Sequence, residues 1–410
     1  MNSEINPINM YAFNEIAEVN PPRTVKKGTV TKYLSMDSVN PRQKHVSKIE
    51  YRKYNGGSKF KKNDILFARI TPSLEHGKTC IVDFLDDGEI GAGSTEFIVI
   101  SSKNGLTIPD YLYYLTTSNL VREPAIKSMT GTSGRQRVDT SVFDSIIVPI
   151  PPLKEQKVIA KILSDLDSKI ELNQKMNKTL EAIAQAIFKH WFIDFEFPNE
   201  GGKPYKSSGG EMVDSELGEI PKGWQVKYFK DVVSLTMGVS PKGNSYNTDG
   251  FGVPLLNGAA DFSNGMIEPK KFTTNPVKMC KEGDLLFCIR ATIGNLTYSD
   301  KEYCIGRGVA ALSPNNEIFK AYSYFTLEYG INELISKASG SVIRGLSKDD
   351  ILLYKVLVPT DKIIAEFHLL ASAMFSRMRY LNIETHSLSN VRDSLLPKLM
   401  SGKIRVPLEE

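Results

Sequence analysis

Residues 153–191 read LKEQKVIAKI LSDLDSKIEL NQKMNKTLEA IAQAIFKHW, thirty-nine residues without a glycine or a proline. Ile159, Ile162, Leu166, Met176, Leu180, Ile183 and Ile187 recur at three- and four-residue steps, with Asn173 at one position of the same seam. That is the a/d spacing of a helix packed lengthwise on another helix. A helix of about 36 residues is roughly 54 Å long, more than the width of a domain of about 140 residues. A second such stripe runs from Asp361 to about Leu396, carrying Phe367, Leu370, Met374, Leu381, Leu388, Val391 and Leu395. Leu180, Ile183 and Ile187 match Leu388, Val391 and Leu395 at one offset of 208. Two stripes in one chain most simply bury each other; the alternative is that each packs on its own neighbouring domain.

The matched helices are part of a longer duplication, read before any finer pattern. Lys62-Asn-Asp64-Ile-Leu66-Phe67 returns as Glu282-Gly-Asp284-Leu-Leu286-Phe287, and Ile90-Gly91-x-Gly93 as Ile305-Gly306-x-Gly308. Gly131 and Arg135, ahead of Val148-Pro149, return as Gly340 and Arg344 ahead of Val358-Pro359. Lys157-Val-Ile159-Ala160 returns as Lys362-Ile-Ile364-Ala365. Four matches in one order, about 210 residues apart, describe two whole domain-plus-helix units rather than a solenoid. Asp64–Ala68, Phe97–Ile100 and Asp284–Cys288 read as buried strands. Glycine-rich turns, Asn55-Gly-Gly57 and Gly88 to Gly93, separate them, and Asp110–Leu115 reads as a short helix.

The expected fold class is α+β: two similar β-rich domains with small helices, joined by two long helices in an antiparallel coiled coil. The expected boundaries are a first domain over 1–150, its helix over 151–197, a Pro- and Gly-rich linker over 198–222, a second domain over 223–359 and its helix over 360–410. The aromatic run Trp191-Phe192-Ile-Asp-Phe195-Glu-Phe197 precedes the linker. It reads either as a plug under a globular domain or as a docking face for another protein.

Composition narrows the function. The chain is 410 residues long, 41% hydrophobic and 24% charged, which suits a globular protein of several units. Met1 to Met10 has no apolar run and no apolar stretch reaches about 18 residues, so neither a secretion signal nor a membrane span is expected; the expected location is the cytoplasm. Cys80, Cys280, Cys288 and Cys304 form no C-x-x-C pair and sit near no His at zinc-ligand spacing, so idle thiols are expected. His45, His76, His190, His368 and His386 form no ligand pattern. No G-x-x-x-x-G-K-[ST] loop is present for an ATP motor. Asn20-Pro21-Pro22 is followed by Arg23 rather than an aromatic residue, and no F-x-G-x-G precedes it. An autonomous adenine methyltransferase, which stacks the flipped base on that aromatic residue, is therefore the weaker reading. No metal, cofactor or catalytic residue is expected in this chain.

Charge distribution points to nucleic acid. Between Pro21 and Cys80, fourteen Lys and Arg face four Asp and Glu, a local charge of +10 against +4 for the whole chain. Arg23, Lys26 and Lys27 head this block and are candidate DNA contacts. Base edges are read by Arg, Lys, Asn and Gln on loops or helix ends. The first candidate loop is Thr130-Gly131-Thr132-Ser133-Gly134-Arg135-Gln136-Arg137, with Ser133, Arg135, Gln136 and Arg137 as contacts; its counterpart is Ser339-Gly340-Ser341-Val-Ile-Arg344. Arg69-Ile-Thr71-Pro72-Ser73 follows a strand, with His76 and Lys78 behind it, and its counterpart is Arg290-Ala-Thr292. Lys242, Asn244, Tyr246 and Asn257 complete the candidates. A coiled-coil scaffold without DNA would need neither the basic block nor these loops.

Pro151-Pro152-Leu-x-Glu155-Gln156, with a helix ending Leu180-Glu-Ala-Ile-Ala-Gln-Ala-Ile-Phe188-x-x-Trp191-Phe192-x-Asp194-Phe195, resembles the central conserved region of type I restriction–modification specificity subunits. Arg392-Asp393-Ser-Leu-Leu-Pro397-Lys398-Leu-Met-Ser-Gly402-Lys-Ile resembles their distal conserved region, and Glu219-Ile-Pro221-x-Gly223-Trp224 the opening of their second target-recognition domain. The resemblance spans the chain, close at the helices and loose in the β-rich parts. It implies a subunit with no catalytic centre that binds double-stranded DNA at a bipartite, asymmetric site, one half-site per domain. It further implies partners: two methyltransferase subunits docked on the helices, and motor-nuclease restriction subunits beyond them.

Overall fold

The computed structural model describes residues 8–132, 134–263, 265–338 and 344–407. The chain divides into two compact units, residues 1–173 with 384–410, and residues 174–383. Both long helices form, Leu153–Phe188 and Asp361–Met400, and each runs through both units. Lacking glycine and proline, the first stays α-helical for 36 residues, then widens into a π turn, Lys189–Ile193. Phe195 stops it at φ 62°.

In the first unit, Ile65–Ala68 lies inside an antiparallel sheet between Phe97–Ser102 and Thr79–Ile81, with Ala17–Val19 at the edge. All four residues of Ile65–Ala68 are buried, as an apolar strand covered on both faces should be. A second sheet holds a parallel pair, Val30–Leu34 beside Ile90–Gly93, flanked by Glu50–Lys53 and Ser58–Lys61. The second unit repeats the first sheet as Val233–Met237, Val309–Pro314, Leu285–Cys288 and Gly294–Tyr298. Its other sheet has the parallel pair Val253–Leu256 and Tyr303–Ile305, with three flanking strands. Asp64 and Asp284 open equivalent strands the same way, accepting the amides of Lys61 and Lys281 at 2.7 Å.

Within each unit, half of one long helix lies antiparallel to half of the other. In the first unit Glu155 pairs with Arg405, Asp167 with Arg392 and Asn173 with Glu384; in the second, Asn177 bonds Asn382. Asn173 is fully buried, as a seam residue should be, and so are the expected Ile159, Phe367 and Leu381, but at other positions the stripe is turned by one residue from the expected one. Leu163, Asp167, Ile170, Ala184 and Phe188 are buried, whereas Ile183, Leu370 and Val391 are exposed. Asp167 can occupy a seam position because Arg392 and Tyr114 satisfy it.

The duplication holds, with three register corrections. In the first, Ile289 N bonds Gly308 O as Arg69 N bonds Glu96 O, so Gly306-x-Gly308 corresponds to Ser94-x-Glu96 rather than to Gly91-x-Gly93. In the second, the helices match at 208 throughout: Ile159 and Phe367, Trp191 and Leu399, Phe192 and Met400 occupy equivalent buried places. That moves the Lys157/Lys362 match by three residues. In the third, Asn9 pairs Ile150 as Gln225 pairs Val358, so Val148 answers Val356, not Val358. The expected linker also carries a hairpin, Met212–Ser215 with Gly218–Pro221. The aromatic run is a plug: Trp191, Phe192 and Phe197 are buried, and Phe197 stacks between Tyr205 and Trp224.

Candidate nucleic-acid interface

The sequence places Arg69–Ser73 and Thr130–Arg137 far apart, and the first unit clasps them together. Past the end of Ile65–Ala68 the chain takes its last ladder bonds from the second loop: Thr71 N donates to Gln136 O at 3.0 Å and Val138 N to Arg69 O at 2.8 Å. Thr130 and Arg137 exchange amide bonds at 3.0 and 2.9 Å, closing the loop on itself. Gly131 sits at φ 125° with Arg135 O beside it, a conformation and approach that favour glycine. Arg135 and Arg137 are exposed at this clasp and Gln136 is half-buried. Ser73 and His76 lie on the adjoining turn, where His76 N bonds Pro72 O.

The second unit builds the same clasp. Leu346 N donates to Ile289 O at 3.0 Å and Ala291 N to Arg344 O at 3.2 Å. Bond for bond, Arg344 therefore answers Gln136, and Arg290 answers Ile70; each expected partner, Arg135 and Arg69, is one residue away. Arg290 and Arg344 are exposed there. Arg307 is exposed on the neighbouring loop, its Nε 3.3 Å from Ser240 Oγ. Sequence reasoning missed it, although a lone Arg between two glycines is a readable signal for a side chain on a tight loop.

Other candidates are placed differently. The Arg23 side chain is only 8% exposed and holds Asp64 in an ion pair, with further bonds to Ser101 Oγ at 2.9 Å and Lys59 O at 3.2 Å; its guanidinium is used up inside the fold. Thr71 is buried, its hydroxyl accepting Gln136 N at 3.1 Å. Lys78 donates to Met36 O at 2.9 Å. These three side chains are engaged within the fold. Lys26 and Lys27 are exposed on the turn before Val30–Leu34, and Lys242 and Asn244 are exposed in the second unit. Tyr246 is half-buried beneath Lys271, and Asn257 packs over Gly306 and Gly308. Ser133 and the segment 339–343 lie outside the described residues.

All four cysteines are buried; burial pushes the Cys280 thiol up to about 11 and Cys288 up to about 12, away from thiolate chemistry. Among the described residues no group of three His, Cys, Asp or Glu side chains is placed to hold a metal. No described helix is long and apolar enough to cross a membrane.

The family described as "Type I restriction modification DNA specificity domain" matches residues 7–182 and 221–368, once in each repeat and over most of the chain. The chain belongs to this family. It is a type I restriction–modification specificity subunit, a non-catalytic subunit, with the DNA-specificity domain present twice. The MjaIX specificity subunit of Methanocaldococcus jannaschii is 27% identical over 321 residues, covering 75% of this chain and 71% of that one. The HindI specificity subunit of Haemophilus influenzae is 25% identical over 417 residues, covering 84% and 87%. The crystal structure of the type I restriction–modification S subunit from M. genitalium has the same fold, with a TM-score of 0.56 at 17% identity over 98% of this chain and 97% of that one.

Proposed function

We propose that each unit of this specificity subunit reads one half of a bipartite, asymmetric DNA site through its clasped loops. The reading rests on one observation above all: the same clasp closes the same strand end twice, and both copies expose guanidinium groups. The contacts proposed are Arg69, Arg135, Gln136 and Arg137 in the first unit and Arg290, Arg307 and Arg344 in the second. Ser73, His76, Lys26 and Lys27 flank the first clasp, and Lys242 and Asn244 serve the second unit. The two side-chain sets differ, so the half-sites differ. The two long helices set the number of unspecified base pairs between them, because each is one unbroken element shared by both units.

Two methyltransferase subunits dock on the outward faces of the helices, where Leu172, Ile183, Leu369, Ile383 and Val391 are exposed; motor-nuclease subunits join beyond them. Gel-shift titration of a duplex bearing the site, with and without the methyltransferase partner, tests the reading. Site-specific binding that vanishes when either half-site is scrambled is the expected result. Methyl transfer by this chain alone would instead favour the autonomous-enzyme reading.

A further inference from the structure

One contact in the first clasp joins two loops through charge. Arg137 Nε lies 3.1 and 3.0 Å from Glu96 Oε1 and Oε2, and Nη2 lies 2.7 Å from Oε1. Glu96 is itself fixed by the ladder, its carbonyl accepting Arg69 N at 2.9 Å. The carboxylate thus takes the Nε side of the guanidinium. Among the described residues the Nη1–Nη2 edge is left unused, and that fork matches guanine O6 and N7. The Arg137 side chain is 46% exposed and that of Glu96 22%, so the pair is reachable from outside.

At the equivalent positions the described residues of the second unit offer no such pair. By the register of the ladder bonds, Glu96 corresponds to Gly308 and Arg137 to Gly345. A Cβ at Gly308 would fall 2.0 Å from Asn257 O, and one at Gly345 would fall 3.0 Å from Arg290 Cγ. Backbone and the Arg290 stem fill the place that the first unit gives to the ion pair.

We infer that Glu96 and Arg137 form one specificity-determining element of the first unit: Glu96 holds Arg137 edge-on to a guanine and withholds its charge from the phosphates. This rests on the DNA-reading function proposed above. An Arg that reaches any phosphate adds affinity without sequence information. One locked in a neutral pair gains only where a guanine accepts its remaining edge, and the carboxylate's spare lone pairs suit a cytosine N4 donor beside it. Glu96 is therefore a positioning residue that trades general affinity for discrimination.

Removing the carboxylate's charge should strengthen binding to the wrong DNA. The test uses the full chain with its methyltransferase partner and two duplexes. One carries the site mapped from methylated bases in cells with the wild-type protein; the other has its first half-site scrambled. For E96Q, the scrambled duplex should bind more tightly than it binds wild type, with the slope of log affinity on log salt steeper by about one. The ratio of cognate to scrambled affinity should fall about tenfold. R137Q should lower that ratio without steepening the slope, and on an R137Q background E96Q should not lower the ratio further. An E96Q protein with wild-type slope and ratio overturns the inference, leaving an ordinary surface ion pair; so does one that weakens on both duplexes alike. A wild-type complex that does not prefer its mapped site sinks the DNA-reading function itself, and this inference with it.

Discussion

Where the long helices meet the rest of the first unit, the buried side chains include a polar cluster: Tyr114 donates to Asp167 at 2.7 Å, and Asp167 accepts from Arg392 at 2.8 Å. Beside them Lys44, 4% exposed, donates to Asp110 and Ser164, both at 2.7 Å. The equivalent places in the second unit hold Phe325, Phe375 and Ala184, with the two rings stacked 5.5 Å apart. Phe188, Trp191, Phe192 and Phe367 extend that aromatic cluster. One backbone thus supports two chemistries at the same seam. A buried ionic network is tolerated where every member has a partner, and an aromatic one where the rings fill the volume.

The largest effect should follow from emptying the aromatic seam. Phe367→Ala removes a buried ring that touches four others, and should cost about 3–5 kcal/mol in denaturant unfolding. Breaking the polar seam on one side comes close behind. Asp167→Ala leaves the nearly enclosed Arg392 guanidinium with Asp393 alone and the Tyr114 hydroxyl with Ser164 alone, for about 3 kcal/mol. The sharper comparison is Asp167→Leu with Arg392→Leu. Removing both charges imitates the second unit and should recover most of that loss. A double variant as unstable as Asp167→Ala would mean the two seams are not interchangeable solutions.

The helices and the duplication were legible because periodicity and the lack of glycine or proline act over many residues. Register was harder. Gly91-x-Gly93 and Gly306-x-Gly308 look alike, yet the first is a strand against Phe60 and the second a turn against Asn257, so similar letters answer different local packing. The seam was read one residue out because Asp167 counts as polar until Arg392, 225 residues away, is beside it. Arg23 looked like a DNA contact for the same reason: its partner Asp64 is distant in sequence. Glu96 carries no motif at all, and only the fold brings it to Arg137. The hairpin at 212–221 escaped notice because its strands are four residues each and only half of those residues are buried or half-buried.

At the interfaces the two units should part company by residue. Arg344→Ala should weaken specific binding by about 1–3 kcal/mol and relax one position of the second half-site. Arg23→Ala should instead lower the stability of the first unit, with the salt dependence of DNA binding unchanged. Measuring unfolding and binding on both variants separates the outcomes.

The smallest expected effect is on pH. The hydrogen bond to Asp83 at 2.6 Å raises His45 above its ordinary 6.5. The contribution of His45 is fully present below that value and fades as pH rises through its elevated folded pKa. Burial raises the Asp83 carboxyl, but the bond and charge of His45 outweigh it and hold Asp83 below 3.8; its share is lost only on acidification through that lowered value. The first unit should therefore melt slightly earlier in mild alkali than in mild acid, and His45→Asn should flatten the difference. A pH dependence that survives the substitution would assign it elsewhere.

The central claim, one half-site per unit, is tested most directly by mapping methylated bases in cells carrying this chain and its methyltransferase partner. Wild type should methylate a site of two short specified segments separated by unspecified bases. Substituting Gln136 and Arg137 should alter one segment only, and substituting Arg290 and Arg344 the other only. A single continuous site, or both segments changing together under either pair of substitutions, would contradict the account.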